Sequence, residues 1–370
     1  MYKIPLSSTP INAAALAEVL QRYEDKPAMQ VVEDFETSVR KFTGAKYVLA
    51  LNSGTAAIHL ALKALGVGPG DCVIAPTFTY VATVNPILYL GAYPVLIDSE
   101  PLTWNIDPDL LESAIKDQMK ENKKPRCVIV VHSYGMPARM DEVNAICRKY
   151  EIPVLEDAAE AVGSTYNNAL AGTLGEVGIF SFNNNKIVTT YGGGALVTEN
   201  AEIYRKALFW ASQSREDKPF YEHTDIGFNY RMGPLNAAAG LLELRGIDSK
   251  VAERRQVFDR YREILGNRDD ITWLKEPSGH FSNRWLSTPL LSNPLKINEI
   301  MARMNLKGIE CRRLWNPMHL QPYYQKYPAF VNGLAEKLFL EGLCLPSGNL
   351  AYVLEVSCGF ESNALRTPGK

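Results

Sequence analysis

Short apolar runs alternate along this chain with longer stretches whose apolar residues recur every three or four positions. Tyr47 to Leu51, Cys72 to Ala75, Pro94 to Ile97, Cys127 to Val131 and the run opening at Val154 read as buried strands. A helical pattern runs from Pro10 to about Tyr23, and a second, with Val32, Phe35 and Val39 on one face, ends near Gly44. From Ala56 the stripe Ile58, Ala61, Leu62 and Leu65 continues the helical period, and Gly66 suits its stop. Further helices are expected after Pro76 to Thr83, from about Asp107, and from Arg139 to Tyr150. Val177 to Phe182 and Ala195 to Val197 return to the strand pattern. Such β/α alternation predicts a mainly parallel sheet covered on both faces, with ligands at the carboxyl ends of its strands. Ser53, Tyr80, His132, Asp157 and Lys186 all fall at or just after such ends.

Beyond a helix from Ala201 to Ser212 the pattern becomes polar and irregular from Arg215 to Thr224, and an alanine-rich helix follows from Leu235 to Leu244. A long charged helix, about Ile247 to Leu265, then leads to strands at Ile271 to Leu274 and Trp285 to Leu291 and helices at Asn298 to Leu306 and Asn332 to Glu341. At 370 residues the chain exceeds what one core holds, so a large domain over 1–246 and a smaller one over 247–370 are expected. With 39 basic and 41 acidic residues the net charge is -2, so no global field draws it to nucleic acid or a membrane. Six scattered cysteines show no CxxC pair and no zinc spacing, so no metal is expected. No leader-like apolar core opens the chain and no run reaches membrane-spanning length, which favours a reduced, cytoplasmic protein.

The chemistry concentrates between Val154 and Glu199. A buried run closes on Glu156 and Asp157, and Lys186 follows the strand pattern on a turn beside Thr190 to Gly194. A lysine held there, partly desolvated, has an amine ready to attack a carbonyl. A carboxylate at a neighbouring strand end is the group that keeps a pyridine nitrogen protonated, and the two together suggest pyridoxal phosphate. Earlier, Ser53-Gly54-Thr55 carries a strand into a helix N-terminus, where unpaired N–H groups and the helix dipole favour an anion such as the cofactor phosphate. Capping is the ordinary work of a serine or threonine there. His59, one turn into that helix, reads as a packed or surface residue, and Phe78 and Tyr80 both suit a core.

Glu156-Asp157-Ala158-Ala159-Glu160-Ala161, then Phe180-Ser181-Phe182, Lys186 and Thr190 to Gly194 resemble the sugar aminotransferases that act on nucleotide-linked keto-sugars, a branch of the aspartate-aminotransferase fold. The resemblance runs to about Gly348 and implies a fold type I α/β architecture: a mixed, mainly parallel seven-stranded sheet between helices, plus a smaller α+β C-terminal domain. It implies that Lys186 carries pyridoxal phosphate and later moves the proton, while Asp157 pairs with the ring nitrogen. Tyr80 would stack on the ring, Glu160 would lie near its hydroxyl, and Ser53, Gly54, Thr55 and Ser181 would hold the phosphate. Asp225 to Met232 resembles the segment whose asparagine, here Asn229, crosses a homodimer interface to the partner's cofactor phosphate; Arg231 is set beside it as a substrate contact. Glutamate would be the amino donor, with ping-pong kinetics.

Ser282 to Thr288 and Cys311 to His319 resemble the branch that aminates C4 of a UDP-linked 4-keto-6-deoxy-N-acetylglucosamine, with Arg313 and His319 suited to a diphosphate. A dTDP- or GDP-linked keto-sugar, aminated at C3 or C4, is the alternative within enzymes. A dehydratase of this fold puts histidine where Lys186 stands, and a non-catalytic binding subunit is the reading outside catalysis. Two segments depart from the family pattern. Lys26 to Gln30 replaces a glycine-containing segment, and Val353 to Phe360 with a Pro-Gly tail stands where a polar amphipathic helix normally closes the chain.

Overall fold

The computed structural model describes residues 2–360, so the Pro-Gly tail lies outside the described residues. An eight-stranded sheet forms its centre, in the spatial order Tyr47–Leu51, Gly194–Thr198, Val177–Ser181, Val154–Asp157, Cys127–Val131, Cys72–Pro76, Tyr93–Ile97 and Ala329–Phe330. Gly194–Thr198 runs antiparallel to both neighbours, and the other pairings are parallel. The first seven strands are those the sequence predicts; the eighth comes from the C-terminal part, pairing Ala329 with Leu96 and Phe330 with Ile97. Every residue of Cys72–Pro76, Cys127–Val131 and Val177–Ser181 is buried, because helices cover both faces and continuous apolar runs replace alternation.

Helix Gln30–Thr43 lays Val31, Val32, Phe35 and Val39 on the core and stops at Gly44, whose φ of 75° lets its N–H close back on Arg40. It packs tightly on helix Pro234–Leu244, where a side chain at Gly240 would run into the Phe35 ring. After Tyr80 the expected helix divides into a 3₁₀ turn, Val81–Thr83, and a short helix, Asn85–Tyr89.

A second core forms around Val257, Tyr261 and Leu265 of helix Ile247–Leu265, joined by Leu291, Ile297, Ile300, Met304, Leu343 and Leu345. Contacts cross the expected division at 246/247 in several places. Ile4 packs into this C-terminal core, with Lys3 N–H bonded to Gly308 O at 2.8 Å. Ala329–Phe330 extends the large sheet, and His280–Phe281 pairs with Thr165–Tyr166. The strand expected from Trp285 is only Pro289–Leu291, because Asn283 Oδ1 takes the Trp285 N–H and Arg284 adopts a φ of 52°. The departing C-terminal segment folds as helix Val353–Ser357 and a 3₁₀ turn to Phe360, burying Val353, Val356 and Phe360. Among the described residues no helix is long and apolar enough to cross a membrane.

A candidate cofactor site at the strand ends

Strands Val154–Asp157 and Val177–Ser181 are parallel neighbours, so their carboxyl ends bring Asp157 and the turn bearing Lys186 to the same edge. Lys186 is not a solvated surface lysine. Its side chain is 12% exposed, and Nζ lies 3.5 Å from Glu160 Oε1 and 4.0 Å above the centre of the Trp285 ring. Glu160 Oε2 accepts the Tyr134 N–H at 2.7 Å, which aims the other oxygen at the amine.

Asp157 is 4% exposed. Oδ2 accepts from the Thr83 hydroxyl at 2.7 Å and Oδ1 from Ala159 N–H at 3.1 Å; Thr79 Oγ1 lies 2.7 Å from Thr83 Oγ1. Burial pushes the Asp157 and Glu160 carboxyls above their ordinary range, and the Lys186 charge pulls both back. A buried carboxylate that costs desolvation in this way is stabilised when a cationic ring nitrogen is placed against it.

On the other side, Ser53 caps helix Gly54–Ala64 by accepting Ala56 N–H at 3.0 Å. As the first two helical residues, Gly54 and Thr55 keep N–H groups with no intrahelical acceptor. A Cβ on Gly54 would stand 3.1 Å from Ser181 Cβ, and one on Gly194 would come within 2.5 Å of Gly54 N. Glycine at both positions therefore opens a backbone cradle beside the Ser181 hydroxyl. Capping and anion binding are compatible here, since the cap uses Ala56 N–H and leaves the two preceding donors free. An amine, a buried carboxylate and an anion cradle converging at one sheet edge fit pyridoxal phosphate.

Tyr80 is 55% exposed and leans on Trp315, with ring centres 5.4 Å apart, so one flat face remains open at the site's edge. Asn229 is bonded through its carbonyl to Asn52 Nδ2 at 3.2 Å, and its carboxamide is exposed. Arg231 is drawn to Glu36 at 3.3 Å, with its Nε buried and unpartnered. The remaining two expected substrate contacts are engaged in internal bonds. Arg313 donates to the carbonyls of Phe339 and Leu340 and to Asn298 Oδ1, closing helix Leu334–Glu341. His319 joins Thr77 Oγ1 at 2.8 Å to Glu336 Oε1 at 3.2 Å. His132, though at a strand end, is fully buried between Glu156 and the Ala138 N–H, so it orders the sheet edge. His59 is packed against Tyr89, Phe228 and Tyr230, and burial lowers it to about 4.

The model of the DegT/DnrJ/EryC1/StrS aminotransferase family matches residues 12–351. The chain belongs to this family. It is a pyridoxal-phosphate-dependent sugar aminotransferase. Among similar proteins, the "putative pyridoxal phosphate-dependent aminotransferase EpsN" of Bacillus subtilis is 45% identical over 329 residues, spanning 87% of this chain and 84% of that one. A GDP-perosamine synthase of Caulobacter vibrioides is 36% identical over 324 residues, 85% of this chain and 84% of that protein. Among solved structures, a DegT DnrJ EryC1 StrS aminotransferase from Brucella abortus superposes with a TM-score of 0.84 at 28% identity, covering 94% of this chain and 95% of that one.

Several residues in the site carried no sequence signal of their own. Thr83 sits in an unremarkable apolar-polar run and is placed against Asp157 only by the 3₁₀ turn. Tyr134, with a φ of 54°, stacks between Trp285 and Trp315 and gives the Trp315 N–H an acceptor at 3.0 Å. A patterned tyrosine-tryptophan spacing would have announced this ladder, but its members are 134, 285 and 315, far apart in sequence.

Proposed function

We propose that this aminotransferase moves an amino group from glutamate to the keto carbon of a nucleotide-linked keto-deoxy sugar, C4 of a UDP-linked 4-keto-6-deoxy-N-acetylglucosamine being the first choice. The reading rests on one observation: Asp157 and the turn bearing Lys186 follow adjacent parallel strands, at the same sheet edge as Gly54, Thr55 and Ser181. When bound, the cofactor supplies an electron sink for negative charge developing on the carbon that carries the nitrogen. Lys186 would hold it, and once released Nζ stands free to take a proton from that carbon and return it. Glu160, 3.5 Å away, steadies the ammonium form, and the Trp285 face beneath it keeps the amine aimed inward. Asp157, held by Thr83 and Ala159, presents a negative charge to the ring nitrogen.

The UDP reading is supported by the resemblance of the segments around Trp285 and Trp315; the exposed Tyr80 ring and the half-buried Trp315 ring beside it offer apolar faces suited to a sugar. Arg313 and His319 lend it no support, since their polar atoms are engaged elsewhere. A GDP-linked 4-keto sugar is the second reading, favoured by the likeness to GDP-perosamine synthase. We also read the enzyme as a homodimer with shared sites. The exposed Asn229 carboxamide is surrounded in sequence by exposed Phe220, Tyr221, Ile226 and Leu235, an apolar surface that a second copy would cover.

The test is incubation of cofactor-loaded protein with glutamate and a panel of UDP-, dTDP- and GDP-linked 3-keto and 4-keto sugars, with products read by mass and NMR. An amino sugar from one nucleotide series settles the substrate; none from any, in protein whose glutamate reaction is intact, would refute the assignment. Mixing Lys186→Ala with Asn229→Ala subunits tests sharing. Hybrids should regain activity that neither parent has.

A further inference from the structure

The carbonyl of Asn185, the residue before Lys186, serves two donors at once. The Ser7 hydroxyl donates to it at 2.7 Å and Trp285 Nε1 at 2.8 Å, so both lone pairs of that oxygen are engaged. Ser7 and Trp285 come from distant parts of the chain, and both are buried. On its other edge the same peptide unit is held within the turn, where the Lys186 N–H closes on Asn183 O at 3.0 Å. The plane from which the reacting lysine springs is therefore pinned by three bonds, two of them supplied from outside its own domain.

Each outside donor is itself fixed. Arg254, on helix Ile247–Leu265, is 6% exposed, carries no ion pair among the described residues, and donates through Nη2 to Ser7 Oγ at 3.0 Å. A guanidinium cannot accept, so the Ser7 oxygen takes that bond and its hydrogen is left for the Asn185 carbonyl. A charged donor on one side of a hydroxyl also strengthens what it donates on the other. The neighbouring Leu6 is fastened to the C-terminal part, its N–H to Glu310 Oε2 and its carbonyl to Ser347 N–H, both at 2.9 Å. The indole is oriented by its Nε1 bond, by its own N–H on Asn283 Oδ1 at 2.9 Å and by Tyr134, whose ring plane lies 16° from it. Lys186 Nζ stands 4.0 Å over the centre of that indole, and such attraction requires the face of the ring. One oxygen thus fixes both where the lysine side chain begins and the surface on which its amine rests.

We propose that Ser7, held by Arg254, and the indole N–H of Trp285 are positioning residues for Lys186, an inference that rests on the role given to that lysine above. A lysine that holds the cofactor, is released, carries a proton and returns must swing its whole side chain in every cycle. Only its backbone end stays in place, so the peptide unit at that end decides where the amine comes back. A misplacement of ~1 Å at the reacting atoms can cost ~100-fold in rate. The two donors share one acceptor, so either alone retains part of the hold and loss of both frees the carbonyl.

The test is the single-turnover reaction of cofactor-loaded protein with glutamate, followed by the absorbance of the lysine-linked cofactor and expressed per loaded site. Ser7→Ala and Trp285→Phe, which keeps a ring face but no N–H, should each lower the maximal rate ~3- to 10-fold, as for loss of one hydrogen bond. The half-saturating glutamate concentration should stay within about twofold, Ser7→Thr should run near wild type, and Ser7→Ala/Trp285→Phe should lose more than the product of the single losses. Ser7→Ala also strands the Arg254 guanidinium and lowers the melting temperature; adding Arg254→Met should restore stability without restoring rate. A Ser7→Ala rate within about twofold of wild type would make Ser7 merely structural, whatever its melting temperature. A rate recovered by Arg254→Met, or a threonine variant as slow as alanine, would equally overturn the proposal. Capture of pyridoxal phosphate by cofactor-free protein needs Lys186 in place but no amino donor, and should slow ~3- to 10-fold in Ser7→Ala. If wild type captures the cofactor yet does not react with glutamate, the donor reading fails, and the capture rates still decide the role of Ser7.

Discussion

Thr83→Val removes a single buried hydroxyl and puts the ionic state of the site to the test. Asp157 has two partners in the protein, the Thr83 hydroxyl at 2.7 Å and Ala159 N–H at 3.1 Å, and is otherwise enclosed. Burial pushes its carboxyl upward and the Thr83 bond opposes that, so the valine variant loses one of the two bonds that keep the carboxylate charged. A hydrogen bond to a charged group is worth about 1.5–3 kcal/mol, which corresponds to a ~10- to 150-fold loss in kcat/KM if it is felt fully in the transition state. The assay is the glutamate half-reaction followed by the absorbance of the lysine-linked cofactor, with cofactor affinity measured in parallel. Thr83→Ser, which restores the hydroxyl, should recover most of the rate. Thr79 supplies a control. Its hydroxyl pairs with Thr83 at 2.7 Å, so Thr83→Val leaves it with only a 3.5 Å contact to the Tyr80 carbonyl and lowers stability separately. The Thr79→Val/Thr83→Val double variant should regain melting temperature without regaining rate. A Thr83→Val rate within about threefold of wild type, or a serine variant as slow as valine, would refute this account of Asp157.

Asp157→Asn should abolish turnover yet favour the cofactor-free fold as pH rises. A carboxyl raised in the folded state binds more protons folded than unfolded, so wild type loses stability relative to the variant from about pH 4 upward, as melting curves at several pH values would show. Gly54→Ala should weaken cofactor binding while the protein remains folded, because its Cβ meets Ser181 at 3.1 Å and shifts the cradle; fluorescence titration with pyridoxal phosphate reads this. Gly240→Ala, with its methyl driven into the Phe35 ring, should cost ~1–3 kcal/mol in denaturant unfolding. Phe360→Ala should cost ~3–5 kcal/mol, since the ring closes the C-terminal core; a smaller effect than 1 kcal/mol by the same assay would mean that the last helix is dispensable.

The large sheet was legible because parallel strands must be buried on both faces, and runs such as Cys127–Val131 and Val177–Ser181 carry that requirement in composition alone. The positions of Lys186, Asp157 and Ser53 to Thr55 just after strand ends were equally legible, because strand ends follow from local pattern. The partners of Arg313, His319 and Thr83 were not, since nothing in a neighbouring residue reports which distant carbonyl or hydroxyl a side chain will meet. The sequence by itself determined seven strands of the large sheet, most of the helices around it and the residues offered at their junctions. Only the tertiary structure decided that Ile4 would pack beside residues 257–360, that Ala329–Phe330 would extend the sheet, and that one arginine would cap a helix while another was buried without a counter-charge. The physical reason is that strand and helix periodicities are written within ten residues, whereas hydrogen-bond partners and charge compensation depend on contacts across hundreds.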